Sequence, residues 1–250
     1  MEFLLARMLG FFMVMVRTSA FFLVGPILGA RVVPMQFRLA IVLILSAYFA
    51  WMAPGRFNPL TVSMVEVLLF LSMEAVYGLA FGLVVVLIFS VVKMAARVVE
   101  HQMGFMMAKT FDPLSGEDAQ PLSLFLDMVF MMLFLSANGH HLLVMIMQRS
   151  FEVFPVGMPP DLPLLLESVV QAGSTMMMAS LRLCAPVLCA FILLLVTLAI
   201  FARIMPDMDI LFLSMPLRAG LGLLFCSMAM PFVQEFVTEF SDWMGKLLPL

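Results

Sequence analysis

Apolar residues along this chain gather into six long stretches, near Gly10–Gly29, Leu39–Met52, Val65–Val92, Leu122–Met147, Ser174–Ala202 and Ile210–Pro231, with short polar or proline-containing segments between them. A helix needs about 20 apolar residues to cross a bilayer core of roughly 30 Å. By that measure the stretches are uneven. Leu39–Met52 is short for a span, and Val65–Val92 would reach about 42 Å as a straight helix at 1.5 Å per residue. Several are interrupted: Pro26 follows Gly25 in the first, Asn138, Gly139, His140 and His141 divide the fourth, Pro186 lies inside the fifth and Pro216 interrupts the sixth. A proline removes a backbone donor and bends a helix, and in lipid the freed carbonyls need partners. The pattern predicts an all-α, membrane-associated protein of helical hairpins with kinked apolar helices, sheltered by other proteins more than by lipid.

The C-terminal end has another rhythm. Phe232, Phe236, Phe240, Trp243 and Leu247 recur three or four residues apart, with Glu235, Glu239, Asp242 and Lys246 on another face. This predicts an amphipathic helix over 232–250, lying along a membrane surface or packed on protein.

Composition sharpens the class. Hydrophobic residues make up 64% of the 250 and charged residues 12%, against roughly half and a quarter in soluble domains. With a mean hydropathy of +1.14, most of the surface must face lipid or apolar partner faces. The net charge is −3, without a basic tract, so nucleic acid is excluded as a partner. Lys and Arg divide almost evenly between the two sides of a six-span topology, so the positive-inside rule gives no orientation. Glu2, Arg7 and Arg17 in the first stretch argue against a cleavable signal. Cys184, Cys189 and Cys226 form no CxxC pair and read as small buried hydrophobes.

Candidate chemistry is sparse. No glycine-lysine phosphate loop and no GxGxxG opening a helix is present, and no Ser-His-Asp or Cys-His set has a strand-turn context. His140 and His141 are neighbours pointing to different sides of a helix, so they cannot chelate like an i,i+4 pair. No catalytic, cofactor or metal residue is therefore expected. Glu74 and Asp127 lie deep in the third and fourth stretches. Acids there mark either an ion pathway or a pairing across a helix interface, with Arg182 a candidate partner. Gly78 and Gly82 form a GxxxG on the helix of Glu74, where another backbone can approach closely.

Methionine occurs 27 times, and its adaptable side chain suits irregular or varied partners as well as plain helix packing. One cluster precedes a loop, Ala108–Pro121, in which Pro113, Gly116 and Pro121 prevent a continuous helix. Asp112, Glu117 and Asp118 favour water, while Phe105, Met106, Met107, Phe111 and Leu114 form an apolar cluster. Such a loop is suited to occlude a watery passage; an ordinary surface connection is the plain alternative.

The order of several short motifs resembles the FliR family, called SctT in virulence systems, of type III secretion export-gate subunits. Arg17–Phe21, Pro26–Gly29 and Val33–Ala40 are similar to its opening pattern. Glu74, Gly78 and Gly82 match its Glu-x-x-x-Gly-x-x-x-Gly helix. His101–Gly104 leads to Phe111–Pro113, then Leu133–His140, Ser150–Glu152 and Pro155–Gly157. Ala185–Val187, Ala202–Pro206 and Pro216 resemble the closing hairpin. Ala95–Arg97 and Pro206–Asp209 depart from the family's usual Ala-Gly-Glu and Pro-Gln-x-Asn.

The resemblance implies one FliR-like domain over 1–250, similar to a fused FliP and FliQ. It implies assembly with FliP and FliQ into a helical gate lifted largely above the membrane plane, joined by FlhB and FlhA. The expected function is non-enzymatic passage of unfolded flagellar proteins across the inner membrane at the flagellar basal body. The implied plug is the loop 105–122, with Phe105, Met106, Met107, Phe111, Pro113 and Leu114. Glu74, Gly78, Gly82, Gly104, Pro186, Arg203 and Pro206 are implied in helix packing and assembly, and no cofactor is expected. The competing expectation is a secondary transporter using Glu74 and Asp127, which would need internal inverted repeats; none is evident. A membrane metalloenzyme using His140 or His141 would need further ligands.

Overall fold

Helices form where apolar residues run on, and glycine, proline or asparagine marks most of the ends. The computed structural model describes residues 2–26, 34–52, 64–104, 121–205 and 214–224, and beyond them 227, 231, 233, 235 and 236. Its helices are α1 (Glu2–Val24), α2 (Met35–Met52), α3 (Met64–Met103), α4 (Pro121–Ser136), α5 (Gly139–Val153) and α6 (Leu162–Ile204). Residues 214–224 are helical as well, and no strand occurs among the described residues.

The ends have local causes. Gly25 donates its amide to the Phe21 carbonyl at 2.9 Å, and Pro26 has no amide with which to continue α1. The Pro34 carbonyl accepts the amides of Phe37 and Arg38 at 3.1 and 3.3 Å, opening α2. α3 stops at Gly104, whose φ of 82° is cheap only without a side chain. Pro121 begins α4 at the position where a missing N–H costs nothing. The next amide, of Leu122, donates to the buried Glu100 Oε1 at 3.1 Å. Asn138, left-handed at φ 58° and ψ 27°, separates α4 from α5. Asp161 caps α6, its Oδ1 accepting the Leu164 amide at 3.4 Å.

Two expectations about the breaks need correction. α6 is one helix of 43 residues that continues through Pro186 and begins twelve residues before the apolar stretch at Ser174. The proline leaves the carbonyl of Arg182, four residues before it, without its usual amide, yet the helix persists. α3, at 40 residues, also outruns its apolar stretch. At 1.5 Å per residue α3 and α6 are about 60 and 65 Å long, roughly twice a bilayer's hydrocarbon thickness.

Packing divides the chain into two compact units: Met1–Phe89 with Asn138–Ser174 and Ser241–Leu250, and Ser90–Ala137 with Thr175–Phe240. In the first, α2 packs on α1, and Met13, Phe21, Tyr77, Phe81, Ile88 and Met147 are buried. Rings from different elements meet there: Phe154 lies 5.1 Å from Tyr77 and 6.1 Å from Phe81, and Phe49 lies 5.6 Å from Phe151. In the second, Val92, Ala96, Val99 and Met103 form one buried face of α3, and Phe130 meets Phe236 at 5.8 Å. Each buried Val, Ile, Met or Phe side chain among these contributes about 1.5–3 kcal/mol.

Among the described residues four helices, α1, α2, α3 and α6, are long and apolar enough to cross a membrane, or five spans if the α4–α5 pair counts as one. Many large apolar side chains remain exposed, Leu68, Met132, Leu166, Leu193 and Ile204 among them.

Candidate functional site

The most enclosed polar arrangement is a joint between α1, α3 and the end of α5. Arg17, on α1, is completely buried, as is Glu74 on α3. Arg17 Nε donates to Glu74 Oε2 at 2.6 Å. Nη1 donates to the Phe154 carbonyl at 2.8 Å and the Ser150 carbonyl at 3.1 Å, with the Ser150 hydroxyl at 3.4 Å. These carbonyls belong to the last turn of α5 and its C-cap, where the helix dipole favours a cation; the Ser150 carbonyl also accepts the Phe154 amide at 3.0 Å. The guanidinium lies between two rings, 4.7 Å from the Tyr77 centroid and 4.6 Å from that of Phe151, an arrangement open to planar arginine and not to lysine. Nη2 makes no hydrogen bond among the described residues.

Glu74 is engaged on both oxygens. Oε1 accepts the amide of Gly157 at 2.8 Å. Gly157 has a φ of 87°, so the turn that presents this amide depends on glycine. Tyr77, one helical turn beyond Glu74, donates its hydroxyl to the Pro159 carbonyl at 3.1 Å. The turn joining α5 to α6 is thus fastened to α3 from two side chains. One Glu74 oxygen is thus engaged in an ion pair and the other in a backbone hydrogen bond.

The glycines bring α3 against α1 at the same place. A Cβ on Gly78 would collide with the Arg17 carbonyl and lie 2.8 Å from the Ala20 Cβ. A Cβ on Gly82 would lie 3.0 Å from the Phe21 carbonyl oxygen and 3.1 Å from the Val24 Cβ. The backbone approach set by Gly78 is what carries the Arg17 side chain into reach of Glu74.

The remaining expected residues are dispersed. Asp127 pairs with Lys93 at 3.6 Å, both side chains partly exposed. Arg182, the expected partner for the deep acids, is exposed on α6; Glu74 pairs with Arg17 instead. His140 and His141 are exposed at the start of α5 with ring centroids 4.3 Å apart, and no metal-ligating cluster occurs among the described residues. Gly104 closes α3, Pro186 lies within α6, and Arg203 is exposed in its last turn. Phe105, Met106, Met107, Phe111, Pro113, Leu114 and Pro206 lie outside the described residues, as does most of 232–250. Of that last segment Val233 and Phe236 are helical and buried, and Glu235 is exposed.

Arg17 itself was identifiable only as a charge in an apolar stretch and as part of a family motif. The signal that marks it as a site residue is a cation at mid-helix with no acid within a turn on its own helix, which demands a partner from elsewhere.

Residues 8–244 match the family model described as bacterial export proteins, family 1. The chain is 26% identical to the flagellar biosynthetic protein FliR of Escherichia coli (strain K12) over 238 residues, covering 95% of this chain and 90% of that one. It is 27% identical to the protein of that name from Bacillus subtilis (strain 168), covering 85% and 82%. The corresponding protein of Aquifex aeolicus (strain VF5) is 25% identical, covering 93% and 88%.

Proposed function

The chain belongs to the bacterial export proteins, family 1, and from that premise we propose that it is a non-enzymatic subunit of the flagellar type III export gate. In this reading it acts as a single FliR-like unit in the inner membrane at the flagellar basal body. It assembles with FliP and FliQ, is joined by FlhB and FlhA, and helps pass unfolded flagellar proteins across the membrane. The observation that carries the reading is the family match over nearly the whole chain. The exposed apolar side chains along α3, α4 and α6 support it, because a surface of that kind needs cover from lipid or neighbouring subunits.

The loop 105–122 serves as the plug, with Phe105, Met106, Met107, Phe111, Pro113 and Leu114 closing the passage and yielding to the emerging polypeptide. What supports this is the pairing of an apolar cluster with proline, glycine and acids between two apolar helices. Glu74, Gly78 and Gly82 serve packing. Gly104, Pro186, Arg203 and Pro206 serve assembly at the helix ends and along α6. Energy for export comes from outside the chain, which has no nucleotide-binding motif.

Two measurements test this. Purification of the intact chain in mild detergent should bring FliP and FliQ with it; a chain that comes alone ends the subunit reading. Deletion of Lys109–Asp118 should raise ion leakage through the assembled gate, and leakage at the parental level would remove the plug assignment.

A further inference from the structure

The first turn of α4 takes its cap from another helix. Pro121, its first residue, has no amide, so the Leu122 N–H is the first backbone donor of the helix. The amides of a first turn find no carbonyl within their own helix. The residue before Pro121 is Gln120, outside the Ser, Thr, Asp and Asn set whose short side chains turn back onto such amides. The acceptor comes instead from α3: Glu100 Oε1 takes the Leu122 N–H at 3.1 Å. The contact is buried, with Glu100 3% and Leu122 7% exposed. It joins a carboxylate to the end of a helix whose dipole favours an anion.

Packing alone does not account for Glu100. It lies on the buried face of α3 with Ala96, Val99 and Met103, and its second oxygen, Oε2, is buried without a hydrogen-bond partner among the described residues. An unsatisfied buried acceptor is costly, and leucine at this position would avoid the cost. What the carboxylate supplies, and leucine cannot, is the tie to Leu122. That tie brackets a particular stretch of chain. Gly104, four residues after Glu100, follows the last residue of α3, and Pro121, immediately before Leu122, begins α4. Everything between them belongs to the loop assigned the plug. A second link between α3 and α4, Lys93 with Asp127 at 3.6 Å, has both side chains partly exposed, a setting in which ion pairs contribute little.

We propose that Glu100 is a positioning residue for the gate: its carboxylate ties together the two ends of the plug loop, fixing where the loop leaves α3 and where it enters α4, so that loss of the tie makes the closed passage leak. The proposal rests on the plug reading given above and deepens it by naming the residue that holds the base of the loop.

The test uses the full chain assembled with FliP and FliQ, and reads ion leakage through the gate beside recovery of those two partners. Glu100→Leu keeps apolar bulk and removes the acceptor; leakage should rise several-fold with recovery unchanged. Glu100→Gln keeps an acceptor oxygen for the Leu122 amide and replaces only the unpartnered one, so its leakage should stay parental. Added to the Lys109–Asp118 deletion, Glu100→Leu should raise leakage no further, because most of the loop it positions is gone. Gln120→Asp, which supplies α4 with a local cap, separates the tie from helix stability. Added to Glu100→Leu it should leave the leak in place; a leak cured by it would mean that Glu100 only caps α4, which overturns the proposal. Parental leakage in Glu100→Leu beside a leaking deletion chain overturns it as well, as does a glutamine variant as leaky as the leucine one, or a leak that adds to that of the deletion. Parental leakage in the deletion chain counts against the plug reading itself and removes this inference with it. If Glu100→Leu fails to recover FliP and FliQ, Glu100→Asp, one methylene short of the amide, is read in its place by the same outcomes.

Discussion

Gly78 lies directly beneath the main-chain carbonyl of Arg17, so close that a Cβ on the glycine would overlap the oxygen. Both obstructing groups belong to helix backbones or a neighbouring Cβ, and none can swing aside. Gly78→Ala should therefore destabilise the first unit by about 1–3 kcal/mol, the usual cost of overpacking. Gly82 has slightly more room, at 3.0 Å from the Phe21 oxygen, and alanine favours a helix by about 1 kcal/mol over glycine. Gly82→Ala should stay within about 1 kcal/mol of the parent. Thermal midpoints of the purified protein in mild detergent would order the two; equal losses would contradict the geometry.

The Arg17–Glu74 pair predicts an asymmetric mutant set. Arg17→Met leaves a carboxylate buried and uncompensated, which costs about 3–5 kcal/mol. Arg17→Lys should not restore the parent, because an ammonium cannot reproduce the planar fork held between Tyr77 and Phe151 while reaching Glu74 and the α5 carbonyls. The double change Arg17→Met with Glu74→Leu should recover part of the loss by removing both charges together. Denaturation of the four proteins side by side gives the answer, and a double variant no better than Arg17→Met would mean the ion pair is not the source of the cost.

Asp127 should matter far less. Its partner Lys93 is partly exposed, as it is itself, and ion pairs in that setting contribute about 0–1 kcal/mol. Asp127→Asn is expected to leave both the amount of membrane-inserted chain and the export of flagellar proteins at parental levels. Normal amounts with export abolished would instead place Asp127 on an ion pathway.

Met103 and Gly222 form a complementary pair in the second unit. A Cβ on Gly222 would meet the Cγ, Sδ and Cε of the buried Met103 side chain. The obstacle is the flexible end of a methionine, so Gly222→Ala should be milder than Gly78→Ala. Combined with Met103→Ala, which opens the space, its cost should shrink, giving a coupling of about 0.5–3 kcal/mol in a double-mutant cycle. Strict additivity would show that the two residues do not share that space.

Much of this was legible in the sequence, for identifiable reasons. Apolar stretches located every helix core, and Asn138 beside Gly139 marked the break between α4 and α5 because those two residues tolerate left-handed backbone at low cost. The start of α6 at Leu162 was not legible from hydropathy, since Glu167 and Gln171 on its exposed side dilute the apolar signal while leaving helix propensity intact. Pro186 pointed to a break, but a helix of 43 residues holds enough other hydrogen bonds to carry one missing donor. For the site, Glu74 and the Gly78–Gly82 pair pointed to a close helix approach through spacing together with the family resemblance, while spacing alone left Glu74 open between an ion pathway and an interface pairing. Their partner was not legible: Arg17 and Arg182 are both cations in apolar helices, and choosing between them needs the fold, which brings together residues 57 apart in sequence.

The lengths of α3 and α6 bear on how the protein survives its own synthesis. On the gate reading proposed above, the exposed apolar faces of these helices lack their subunit cover until companions arrive, and quality-control proteases recognise that kind of orphan. Cellular amounts should then be set by how fast companions are made, not by how fast this message is translated, and overexpression alone should enrich degradation fragments.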